Sequence, residues 1–168
     1  MIEQCRVPVV AAIAGACTGG GAAIAACSDV RIATNTAKFG FPIARTLGNC
    51  LSMSSLARLS SLIGPARVKE VIFSARLIEA DEALSIGLLT EVVEDATALA
   101  RRAEELATLY AGQAPLTLRA TKEGLRRLQA RLAGAEAEDL ITMCYTSQDF
   151  REGMQAFFEK RPPRWQGK

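Results

Sequence analysis

At 168 residues with 49% apolar side chains, the chain can bury one core and does not have the composition of a disordered segment. The net charge of +2 points neither to nucleic acid nor to a membrane surface. Histidine does not occur, so Ser-His-Asp triads, Cys-His pairs and histidine metal sites are excluded within these residues, and proton transfer falls to Asp, Glu, Lys, Tyr, Cys or water.

The five cysteines (Cys5, Cys17, Cys27, Cys50, Cys144) are odd in number and lack metal-ligand spacing. They read as free thiols in a reducing compartment. Glu3, Gln4 and Arg6 interrupt any leader-like start, and glycines break the longest apolar run, residues 7–27. A cytoplasmic protein without a membrane span is the expectation.

In chain order, "VPVVAAIA" (7–14) predicts a strand buried on both faces. Gly15 and the triplet Gly19–Gly21 predict a turn, "GAAIAACS" a short helix, "DVRIAT" (29–34) a strand and "KFGFP" (38–42) a further extended piece. Strand, helix, strand with short connections is an α/β unit. A buried strand so near the N-terminus has few partners, so either another polypeptide completes its sheet or the chain is the latter part of a larger one.

From Leu51 the pattern turns helical. Leu56, Leu59, Leu62 and Ile63 share one face before the Gly64–Pro65 stop, "ARVKEVIFSA" and "EADEALSIG" are two further helices, and "LLTEVV" (88–93) returns to strand. Asp95 caps a long helix with Leu99, Ala103, Leu106 and Tyr110 in register. Pro115 starts another, running to about Leu132. The stretch from Glu136 supplies one or two more, and "RPPRW" cannot be helical. Residues 1–94 are therefore mixed α/β and residues 95–168 all helix.

The stretch "CTGGGAAIAACSD" (17–29) raises the functional question. A glycine turn leading into a helix N-terminus offers free amides and a favourable dipole to an anion. Dinucleotide binding needs a glycine where Ile24 stands, and a P-loop needs a lysine where Gly21 stands. Two readings stay open: a developing oxyanion such as a thioester oxygen, and close helix–strand packing without ligand.

The stretch "VPVVAAIAGACTGGGAAIAACSDVRIATNTAKFGFP" resembles the crotonase family, the enoyl-CoA hydratases and isomerases, and "ARLSSLIGPARVKEVIFSARLIEADEALSIGLLTEVV", "APLTLRATKEGLRR" and "DFREGMQAFFEKRPPRW" continue the likeness in order. The resemblance implies a spiral of ββα units (1–94), truncated at its start, followed by a helical oligomerisation segment (95–168) that builds trimers or hexamers. It implies an acyl-CoA thioester as substrate or ligand, without further cofactor or metal. It makes Gly20 the oxyanion-hole N–H, with Gly19 and Gly21 beside it. The family's second donor, in an Ala-Gly-x-Asp segment, has no match here.

The resemblance also marks departures. The family's two catalytic glutamates fall on Ala23 and on Ile43 or Ala44, and no acid occurs between Val30 and Lys69. Two-glutamate hydration is therefore not expected of this chain. Arg45, Thr46, Asn49, Cys50 and Ser52 fall in the implied substrate pocket; the competing reading is a helix-entry loop with serine caps. Asp29 is read as a structural partner of Arg31 or a cap. Phe157 and Lys160 fall where the family approaches the CoA nucleotide, or else belong to a solvated tail. Arg119, Lys122, Arg126 and Arg131 share a helix face, read as solvated rather than as a nucleic-acid surface.

Overall fold

The computed structural model describes residues 2–133 and 137–168. A short 3-10 turn (Ile2–Gln4) leads into β1 (Val10–Ile13), β2 (Ala16–Thr18), α1 (Gly20–Ala26), β3 (Val30–Thr34), β4 (Lys38–Gly40), α2 (Ile43–Thr46), α3 (Met53–Ile63) and α4 (Pro65–Ser74). Then come β5 (Ile78–Glu79), α5 (Ala80–Ser85), β6 (Glu91–Val93), α6 (Ala96–Ala111), α7 (Pro115–Ala133), α8 (Glu138–Tyr145) and α9 (Gln148–Glu159). The α/β-then-helical order expected from the sequence is the observed one. Glu136, where the last helical stretch begins in the sequence reading, lies outside the described residues.

Two small sheets form the α/β part. One has the order β1-β3-β6, all parallel, with Val10 beside Val30 and Ile32 beside Glu91. The other has the order β2-β4-β5, parallel between β2 and β4 and antiparallel between β4 and β5. β2 and β5 are too short, at 3 and 2 residues, to show any periodicity in sequence. β1 departs from the expectation of burial on both faces: it is a sheet edge with Ala12 exposed.

The main core gathers Ile13, Phe39, Phe41, Ile78 and Leu88 from the strands and loops, with Leu59, Val68 and Val71 from α3 and α4. Phe39 and Phe41 meet edge to face at 5.7 Å. A second cluster joins Ile32 to Leu99 and Leu106, flanked by Ala103 and Tyr110. The predicted stripe of α6 thus covers the outer face of the first sheet, and Asp95 caps it by accepting from Ala98 N at 2.8 Å. The helical half therefore shares a core with the α/β half.

The C-terminal tail folds back. Gln166 N and Gly167 N donate to the Asp149 carboxylate at 2.7 and 2.8 Å, and Trp165 lies against Gly48. Behind the same loop Gly153 of α9 packs on Leu47, so closely that a Cβ would stand 2.6 Å from the Leu47 carbonyl oxygen. α9 and the tail together brace the segment from Leu47 to Ser52, which carries several candidate residues.

Candidate functional site

The glycine turn is built by the second sheet. β2 runs beside β4, Gly19 N donates to Gly40 O at 3.2 Å, and the Gly19 carbonyl accepts from Ala23 N at 3.0 Å to open α1. Gly19 has φ +53°, which a side chain would strain. Gly20 and Gly21 have no such backbone demand, and a Cβ at either would meet nothing within 4 Å. Their amides, the first of α1, find no acceptor among the described residues. Close packing therefore does not explain these two glycines.

Beneath the turn Ala22, Ala25 and Ala26 are buried and Ala23 packs on the core. Cys17 lies under it as well, its thiol pushed up by burial. Small apolar residues thus lie beneath the open amides, and α1 itself carries no charged side chain.

A cavity of about 400 Å³ opens between α2, α3, α4 and α8, walled by Ile43, Leu51, Leu56, Val68, Ile72 and Leu140. Ile43, where the resemblance places one of the family's glutamates, is buried on this wall, and Ala44, the other reading of that position, lies beside it. Asn49 and Cys50 also reach it. Asn49 Nδ2 donates to Tyr145 Oη at 3.2 Å, while Asn49 Oδ1 is shielded and without a partner among the described residues. Turning the amide over would pair the oxygen and leave the nitrogen orphaned, so one polar end of Asn49 stays unsatisfied inside an apolar space.

The remaining candidates do not line this cavity. Arg45 is exposed at the end of α2. Thr46 Oγ1 donates to Pro42 O at 2.9 Å. Ser52 caps α3, accepting from Ser55 N at 3.3 Å. Phe157 is exposed with its ring edge to Phe158, and Lys160 closes α9 in a left-handed conformation at φ +54°.

Asp29 differs from the expected pairing with Arg31. It accepts from Val9 N at 2.7 Å and from Lys122 Nζ at 2.5 Å, tying α7 to the entry of β1. Arg31 instead donates to the carbonyls of Leu88 and Ser28, and burial lowers its guanidinium pKa. Residues two apart share a face only when both lie in the strand, and Asp29 stands just outside β3. Lys122 is so engaged, while Arg126 and Arg127 share the one Glu123 carboxylate. A second cleft of about 340 Å³ beside α7 is lined by Asp29, Lys122 and Arg126 and by the bonded pair Glu3 and Arg58.

Sequence reasoning missed the contribution of α8. Tyr145 and Leu140 reach Asn49 and Cys50 across 96 and 90 residues of chain, and no local pattern carries such a pairing.

The mostly parallel α/β body, the bare glycine turn opening a short helix and the helices that pack back on it are shared with the enoyl-CoA hydratase/isomerase family. The chain belongs to that family, whose sequence profile it matches over residues 1–168. It is 37% identical over 163 residues to the short-chain-enoyl-CoA hydratase of Clostridium acetobutylicum, covering 95% of this chain and 62% of that protein. It is 38% identical over 165 residues to the crotonyl-CoA hydratase of Syntrophomonas wolfei, covering 96% and 62%. The chain thus spans about three-fifths of the length of these relatives. Among solved structures, methylmalonyl-CoA decarboxylase in complex with 2-nitronate-propionyl-CoA superposes with a TM-score of 0.90 at 32% identity, over 100% of this chain and 66% of that one. The expected crotonase fold is thereby established.

Proposed function

We propose that the chain binds an acyl-CoA, with the thioester oxygen accepting a hydrogen bond from the Gly20 amide between Gly19 and Gly21. The cavity beside Ile43 takes hydrocarbon of the acyl group. The observation that carries this reading is the pair Gly20 and Gly21: open amides, ordinary φ, and empty space where side chains would fit. An oxyanion donor of this kind contributes roughly a hundred- to a thousand-fold in rate.

Hydration by paired carboxylates is not part of the proposal. Ala23 and Ile43 move no protons, and the described residues of the cavity wall include no acid. A reaction that needs an enolate-stabilising amide without a base fits these residues better. Loss of CO2 from a 2-carboxyacyl thioester is one: the C–C bond breaks, its electron pair passes to the thioester oxygen as an enolate, and water protonates the carbon. The likeness to a methylmalonyl-CoA decarboxylase favours this second reading. A homologue that binds acyl-CoA without turnover is the alternative.

Calorimetry with acetyl-, crotonyl- and methylmalonyl-CoA tests the binding, and absence of heat with all three would overturn it. A crotonyl-CoA absorbance assay is expected to stay flat; turnover there would refute the argument from Ala23 and Ile43. CO2 release from methylmalonyl-CoA separates the decarboxylase from the silent homologue. Assembly into trimers or hexamers through the helical segment belongs to the same proposal, supported by exposed Leu116, Leu125 and Leu128 on α7 and testable by light scattering. Among the described residues no helix is long and apolar enough to cross a membrane, and the net charge of +2 argues against a nucleic-acid partner. Placement in the cytoplasm remains part of the proposal.

A further inference from the structure

The segment before α3 and the helix α8 meet through two adjacent side chains. Asn49 bonds Tyr145, and Cys50 Sγ donates to the Leu140 carbonyl at 3.7 Å. In an α-helix that carbonyl points toward the amide of the residue four positions on, which is Cys144. The Cys50 sulfur therefore sits against the turn that carries Cys144, and the two thiols are close enough to influence each other. Both are free and partly buried; Cys5 is exposed, and Cys17 and Cys27 flank α1 instead.

α8 is lightly anchored. None of its residues is buried, yet Leu140 and Ile141 wall the cavity. A helix with little buried surface opens locally at low cost, so a covalent tie at this position acts on the cavity wall itself.

We propose that Cys50 and Cys144 form an oxidation site, a reversible intrachain disulfide that fixes α8 as a wall of the cavity. With a small disulfide such as oxidised glutathione as oxidant, one protein thiolate attacks it, forming a mixed disulfide and releasing one glutathione thiolate. The second protein thiolate then attacks the protein sulfur of that mixed disulfide and expels the other. The two cysteines lose two electrons and two protons, and the oxidant is reduced to two thiols. Burial pushes the Cys50 thiol up, so closure is faster in mildly alkaline solution, where more thiolate is present. The cross-link stands apart from the acyl-CoA reading; only its effect on ligand entry rests on that reading.

The test is incubation of the protein with oxidised glutathione near pH 8.5, about the ordinary thiol pKa, followed by non-reducing peptide mapping. The expected product joins the Cys50 and Cys144 peptides of one chain, is absent in Cys50→Ser and Cys144→Ser, and reverts with dithiothreitol. Hydrogen exchange across residues 138–145 is expected to slow by about tenfold in the oxidised form. Glutathione capping Cys50 and Cys144 separately, cross-links through Cys5, or unchanged exchange would each overturn the proposal. Acyl-CoA calorimetry on both redox forms then keeps the two ideas apart. A cross-link without binding in either form refutes the acyl-CoA reading alone, and binding without a cross-link refutes this one alone.

Discussion

Two glycine sites in this molecule differ in physical cause. At Gly153 the fold itself demands a missing side chain, because a Cβ would stand within 2.6–2.9 Å of Leu47 backbone atoms. Gly40 is similar, hemmed by Arg76 O and Leu77 at 2.9 Å. At Gly20 and Gly21 the fold makes no such demand: φ is ordinary and the space is empty. Glycine costs about 0.5–1 kcal/mol against alanine in a helix, so a helix that begins with two unneeded glycines carries a stability cost that packing does not repay. The comparison separates a glycine kept for neighbours inside the chain from one that, under the proposed function, is kept for a visitor outside it.

The sharpest break of that comparison is a pair of substitutions read by the same two measurements. Gly153→Val forces backbone against backbone in a buried contact and is expected to destabilise by about 3 kcal/mol, lowering the Tm by roughly 10 °C. Gly20→Ala is expected to leave the Tm unchanged or slightly raised while acyl-CoA affinity falls by about tenfold or more, because the methyl group occupies the approach to the amide. Thermal unfolding and calorimetry measure both. Should Gly20→Ala unfold the protein while binding per folded molecule survives, the distinction fails, and the turn is structural after all.

This contrast also marks what the sequence could and could not reveal. The triplet, the absence of carboxylates at Ala23 and Ile43, the cap at Asp95 and the α6 stripe are all local, fixed by identity or by spacing within a few residues. Whether a glycine is crowded is a property of atoms far along the chain, as Leu47 is from Gly153, and could not be read. For the same reason Asp29 finding Lys122 93 residues away, and Asn49 finding Tyr145, were illegible. The pocket polars divide on this line. Ser52 and Thr46 have local partners and follow the helix-entry reading, whereas Asn49, whose partner is distant, is the one left with an unpaired group in the cavity.

That division predicts a smaller effect. Ser52→Ala removes the α3 cap and is expected to cost about 1 kcal/mol, or roughly 3 °C in Tm, without changing acyl-CoA affinity. An affinity loss larger than the stability loss would return Ser52 to the binding site.

The smallest expected effect concerns a third kind of glycine, Gly48, which is both left-handed, at φ +67°, and covered: a Cβ there would lie 3.1 Å from the Trp165 ring. The tail that lays Trp165 on it is held by Glu152, which accepts from Arg161 at 2.6 Å and from Arg164 N at 2.8 Å. Those bonds, the Arg161 pair foremost, hold the Glu152 carboxyl down at about 2. Because the folded value lies below the unfolded value of about 4.3, the attachment is fully present above that value and is lost as pH falls toward about 2. The single tryptophan reports this directly: its emission is expected to shift red over that acid window, before the far-ultraviolet helix signal falls. Glu152→Gln cannot titrate, so the separate step is expected to disappear from its profile. A wild-type tryptophan transition coincident with global unfolding would show instead that the tail is bound by Trp165 packing and the Asp149 bonds, with Gly48 crowded by contact rather than by charge.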